Sequence, residues 1–177
     1  MKRLFSALLI ATSALAAQAA TLQPEKSDLS FTFKQMGVPV DGKFKKFDAQ
    51  LDFDPKKPEA GKIAFTVDLG SVSLGDASFD AELAKTPWFD TKRNGKATFV
   101  SSGIKATGPG KYDVAGKLTI KGAVRDVVVP ITLAGGVAAG SLPIKRLDFK
   151  IGDGEWADTS MVANDVTVKF KLSFAGL

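Results

Sequence analysis

From residue 29 onward the chain alternates apolar and polar positions. Leu29, Phe31 and Phe33 alternate with Ser30, Thr32 and Lys34. Phe47, Ala49, Leu51 and Phe53 alternate with Asp48, Gln50 and Asp52. Ile63, Phe65, Val67 and Leu69 alternate with Ala64, Thr66 and Asp68. Successive side chains of a strand point to opposite faces, so each run sets one face on an apolar interior and the other in water. Asp54-Pro55 and residues 58–61 punctuate these runs. Further strands are predicted over residues 97–104, 112–121, 124–133, 144–151 and 165–174. Gly108-Pro109-Gly110 and Lys121-Gly122 read as turns, and the Gly/Ala-rich residues 134–140 as a break.

Between the third and fourth runs the alternation stops. Phe79 and Leu83 lie four apart, which predicts a short helix with Asp76 as N-cap and Thr86-Pro87 as its end. Trp88 and Phe89 follow at once and need burial. Val127-Val128-Val129 with Ile131 is apolar on both faces, which predicts that one side packs on this helix. About eight strands and one short helix predict an all-β fold, an eight-stranded antiparallel barrel that holds one small ligand. A filled sandwich is the alternative.

Residues 1–19 stand outside this pattern. Lys2 and Arg3 precede a mostly apolar stretch over residues 4–17, and Ala17-Gln18-Ala19 is an A-x-A cleavage site. That is a secretory signal peptide, leaving residues 20–177 as one exported domain. The apolar stretch is short for a membrane span. With no Cys in the chain, a lipoprotein anchor is chemically impossible.

The chain contains no Cys and no His. This removes thiol nucleophiles, Ser-His-Asp triads, Cys/His zinc sites and His or Cys haem ligation. The chemistry left is that of carboxylates, Lys or Ser. Without Lys2 and Arg3 the balance is 22 basic against 19 acidic residues. The densest basic group, Lys43, Lys45 and Lys46, reads as a solvated face. Nothing points to nucleic acid. Ser102-Gly103-Ile104-Lys105 matches S-x-x-K, but a strand at an offset of three points the pair to opposite faces. Asp153, Glu155 and Asp158 crowd residues 152–158, yet their spacing fits no calcium loop and reads as a solvated acidic loop. No metal or cofactor is expected. Thirteen of sixteen aromatic residues are Phe, a large apolar surface with no polar handle. Either a filled core or an open apolar lumen accounts for that.

Several stretches in order resemble the YceI-like family. Val40-Asp41-Gly42-Lys43-Phe44-Lys45-Lys46-Phe47 resembles its V-x-G-x-F-x-x-F hairpin. Asp80-Ala81-Glu82-Leu83 with Trp88-Phe89-Asp90 resembles D-x-H-L…F-F-D. Ala97-Thr98-Phe99 matches A-T-F, and residues 116–130 resemble G-x-L-T-I-x-G-x-T-x-x-V-x-x-P. The resemblance implies a lipocalin-like barrel in the periplasm that holds an isoprenoid-chain amphiphile tail-in, without catalysis. The positions where many members carry His are here Gln35 and Glu82, so only tail binding, which needs no imidazole, carries over. The expected lumen residues are Phe31, Phe33, Phe65, Val67, Phe99, Leu118, Ile120, Phe149, Val168 and Phe170, with Leu83, Trp88 and Phe89 as a lid or plug. Lys92, Arg93 and Lys96 are the head-group candidates. The ligand class is a polyprenyl lipid or a quinone. A quinone-binding accessory to a membrane redox protein, an enzyme using Asp153 or Glu82 on a bound lipid, and a filled structural module, with or without dimerisation, stay open.

Overall fold

The computed structural model describes residues 20–177; the signal peptide expected over residues 1–19 lies outside the described residues. One antiparallel sheet closes on itself. Its strands are β1 (Ala20–Leu22), β2 (Asp28–Gln35), β3 (Val38–Phe44), β4 (Phe47–Asp52), β5 (Lys62–Asp68), β6 (Val72–Ser73), β7 (Lys96–Gly108), β8 (Lys111–Ile120), β9 (Ala123–Ala134), β10 (Val137–Lys145) and β11 (Asp165–Ala175). The ladder order β1-β4-β5-β7-β8-β9-β10-β11 returns from β11 to β1 through Thr21↔Ala175 and Leu22↔Phe174. β2 continues β1 along the same edge of β11, from Lys171↔Asp28 to Thr167↔Thr32. β3 runs into β4, and β5 into β6. Three of the eight staves are therefore bent, and the whole is a closed eight-stranded antiparallel barrel.

Each bend has a local cause. Between β1 and β2 sits Pro24, which opens a 3₁₀ turn, and the Ser27 hydroxyl accepts from Ser173 N (2.9 Å) while donating to Gln23 O (2.8 Å). The other two bends share Ser71. Its hydroxyl accepts from Lys46 N (2.9 Å) at the β3–β4 bend and donates to Asp68 O (2.7 Å) at the β5–β6 bend. Polar backbone at the bends is thus paired by serine side chains, within the stave and across to its neighbour.

The barrel has two unlike ends. At one end lie the β7–β8 and β9–β10 turns and the connection from β4 to β5. At the other lie the Met36-Gly37 and Lys121-Gly122 hairpin turns and two long segments, residues 74–95 and 146–164. The single α-helix of the described residues, α1 (Ala77–Leu83), belongs to the first of these segments. Asp76 caps it by accepting from Ser78 N (2.8 Å) and Phe79 N (3.4 Å). Phe79 stays 61% exposed, while Asp80 accepts from Leu74 N (2.6 Å) and Leu83 stands on the barrel interior.

The structure adds one strand and changes three expectations. Residues 38–44 form a strand despite Pro39 and Gly42. The outer edge of β3 is free beyond Lys43, where β6 stops pairing with it; Pro39 lies in that free stretch and needs no ladder N–H. Residues 137–145 are a strand and only Gly135-Gly136 turns, both at positive φ as the tight hairpin requires. Residues 146–149 form a 3₁₀ turn instead of continuing a strand. Val128 does not pack under the helix: it is 56% exposed, and α1 lies against β6 on another part of the barrel.

Candidate functional site in the barrel lumen

The inward faces of the staves do not meet in the middle. They enclose a cavity of about 230 Å³. Its wall is carbon almost throughout; among the described residues only Thr98 and Arg146 on it carry polar side chains outside the aromatic set. Nearer the turn end the wall is mostly aliphatic, with Leu51, Ile63, Val114, Leu133, Ala138 and Leu172. Nearer the loop end Phe31, Phe33, Phe44, Trp88 and Phe89 stand among aliphatic side chains such as Leu69, Leu83 and Ile120. Phe31 and Phe44 pack at 5.4 Å between ring centroids, and Phe44 and Phe89 at 5.9 Å edge to face.

The expected lumen residues Phe31, Phe33, Phe65, Val67, Leu83, Trp88, Phe89, Phe99, Leu118, Ile120, Val168 and Phe170 all stand on this wall. Phe149 does not. It sits in the 3₁₀ turn after β10, 2% exposed, beneath the Arg125 guanidinium at 5.9 Å. β10 ends at Lys145, so the strand expected over residues 144–151 does not carry Phe149 to the lumen.

The loop end is closed by segments tied together through cations. Arg146, 2% exposed, lies on the cavity wall and uses all five of its N–H donors on main-chain carbonyls: those of Ala163, Ile151, Gly152, Trp156 and Val162. Burial pulls its pKa below the ordinary value. Lys121, in the β8–β9 turn, donates from Nζ to Thr86 O (2.7 Å), Pro87 O (3.3 Å) and Lys150 O (2.6 Å), joining both long segments. Gly152 N donates to Pro87 O (2.8 Å). Trp88 and Trp156 pack across the same seam at 5.4 Å. The Trp88 Nε1–H is buried without a partner. Sequence reasoning missed Arg146 and the staple role of Lys121. A single Arg at a strand end carries no spacing signal, since its partners are carbonyls.

The head-group candidates Lys92, Arg93 and Lys96 are exposed, and none stands on the cavity wall. Arg93 lies 4.0 Å from Asp90. The carboxylates considered for chemistry also face outward. Glu82 pairs with Lys85, and Asp153 lies 3.9 Å from Lys121. Asp158 accepts from the Ser160 hydroxyl (2.7 Å) and backbone N (2.8 Å). Those bonds, the hydroxyl first, hold its pKa below the usual carboxylate value. Ser102 and Lys105 are both exposed on β7, where a bulge after Ser101 resets the alternation.

A barrel of this kind has close relatives. Among solved structures, BcnA of Burkholderia cenocepacia is 47% identical, with a TM-score of 0.82 over 87% of this chain and 99% of that one. The YCEI protein of Campylobacter jejuni is 25% identical, with a TM-score of 0.70 over 78% of this chain and 86% of that one. A polyisoprenoid-binding domain from Saccharophagus degradans, implicated in plant cell wall breakdown, shares the fold (TM-score 0.67, 19% identity, 88% of this chain and 97% of that one). A UPF0312 protein of Pseudomonas aeruginosa (strain LESB58) is 32% identical over 158 residues, 82% of each chain. The YceI-like domain model matches residues 21–174, and the chain belongs to the YceI-like family.

Proposed function

We propose that this protein is a non-catalytic periplasmic carrier for an isoprenoid-chain lipid, held with its tail in the barrel lumen. The observation that carries the proposal is the cavity itself: about 230 Å³ walled by carbon from every stave of the barrel. The named ligand class of the Saccharophagus domain, which has the same fold, supports the choice of tail. An apolar cavity of about 150 Å³ takes one benzene, so the 230 Å³ here takes about nine carbons, roughly two isoprene units. Burying them gains roughly 7 kcal/mol gross at about 0.8 kcal/mol each, with no polar contact required. A longer tail extends beyond the cavity. Lys92, Arg93 and Lys96 remain the candidates for a charged head held outside it.

Trp88 reports on the cavity directly. Titration of delipidated protein with a polyprenol in detergent-free buffer is expected to change tryptophan emission saturably at one equivalent. Emission that does not change, with no competition by a polyprenol against a bound apolar dye, overturns the proposal.

A further inference from the structure

Three lumen phenylalanines lie over three glycines of the adjacent strand. Phe31 is paired directly with Gly42, and Phe170 with Gly140. Phe99 reaches Gly116, two places along β8 from its partner Leu118. In each case the far end of the ring occupies the place of the missing side chain. A Cβ on Gly116 would meet Phe99 Cε2 and Cζ at 2.6 Å, and one on Gly140 would meet Phe170 Cζ at 2.7 Å. A Cβ on Gly42 would collide with Phe31 Cζ and lie 2.7 Å from its Cε2. All three rings stand on the cavity wall. Folded onto glycine, each ring follows the wall instead of projecting across the lumen. A side chain at the glycine lifts the ring, and the cavity is where it has room to go.

We propose that Gly42, Gly116 and Gly140 set the bore of the lumen, and with it the preference for methyl-branched chains over unbranched chains of equal length. This rests on the isoprenoid reading above and adds its selectivity device. Rings held flat leave width for methyl branches. A ring lifted off the wall leaves a channel that a straight chain still threads.

Gly42 is the position to test. The three atoms nearest its hypothetical Cβ belong to the side chains of Phe31 and Leu74, whereas at Gly116 and Gly140 the nearest are the carbonyl oxygens of Val100 and Pro130 at 2.5 Å. Delipidated wild type and Gly42→Ala are titrated with geranylgeraniol and with hexadecan-1-ol, which share main-chain length and head group. The wild type is expected to prefer geranylgeraniol, and Gly42→Ala to lower that preference about tenfold while leaving hexadecanol binding within a factor of about two. Adding Phe31→Leu to Gly42→Ala restores the preference. If Gly42→Ala does not fold, Phe31→Trp, which narrows the same place and keeps the glycine, is expected to lose geranylgeraniol selectively. Equal loss of both alcohols in the variants overturns the proposal and leaves the carrier reading standing. A wild type that binds neither alcohol overturns both.

Discussion

Arg146 and Gly152 are built for each other. The guanidinium donates from Nη1 to the Gly152 carbonyl, and a Cβ on Gly152 would lie 2.5 Å from that same nitrogen. Gly152 also holds φ at +66°, a conformation that suits glycine. The buried cation therefore has a cradle of carbonyls that no larger residue at position 152 permits. Arg146→Lys cannot fill it, since one ammonium replaces five donors in a planar fork. Its expected cost is about 3–5 kcal/mol, read as a fall in the denaturant midpoint at unchanged slope. A loss below about 1 kcal/mol would show that the cradle is not needed.

Lys121 makes a second, separable prediction. Its ammonium joins residues 86–87 to residue 150, beside the Gly152 N–Pro87 O bond. Lys121→Met keeps most of the stem and removes the donors. The expected cost is about 1.5–3 kcal/mol. Amide exchange should quicken in residues 84–92 and 147–153, while β10 and β11 stay protected. Uniform acceleration would show a global loss instead of a released cap.

Met36 occupies the first position of the β2–β3 hairpin turn at φ +49°, and is 71% exposed. That position favours Asn, Asp or Gly. Met36→Asn is expected to stabilise the protein by about 0.5–1 kcal/mol, raising the midpoint of thermal unfolding. An unchanged or lower midpoint contradicts this.

Two carboxylates fix the sign of the acid response. The pKa of Asp76 is held below the ordinary value of 3.8 first by the Ser78 hydroxyl, then by the Ser78 and Phe79 backbone N–H groups. That of Asp158 is lowered first by Ser160. A depressed pKa in the folded state adds stability above the unfolded value, and that stability is lost as pH falls through the folded value. Both groups are fully exposed, so the effect is modest and confined to pH below about 4. With no His in the chain, thermal midpoints should be nearly flat between about pH 5 and 8. A step near pH 6.5 would contradict this.

The barrel was legible because alternation survives in most staves. The same parity that makes Leu29, Phe31 and Phe33 one face puts them on one wall, so the aromatic lumen could be drawn from sequence. What failed were the places where local chemistry breaks parity. Gly140 looked like part of a break, but it is a glycine because a phenylalanine ring from the next strand fills its place, as one does at Gly42. The first part of β10 was missed for that reason, and β3 entered only through the V-x-G-x-F-x-x-F hairpin resemblance. Phe149 was assigned to a strand that ends at Lys145. Val128 was assigned to a helix contact that does not form. Arg146 left no trace in the pattern, because its partners are backbone carbonyls of residues 151–163, brought together only by the fold.

The central claim is that the lumen carries a lipid. Its most direct test is to purify the protein from its own cells without detergent, extract it with organic solvent and analyse the extract by mass spectrometry. A near-stoichiometric isoprenoid-chain lipid is the expected result, and its head group distinguishes a quinone from a polyprenyl phosphate. An extract without lipid, from a protein that added polyprenols and quinones do not stabilise, would contradict the claim.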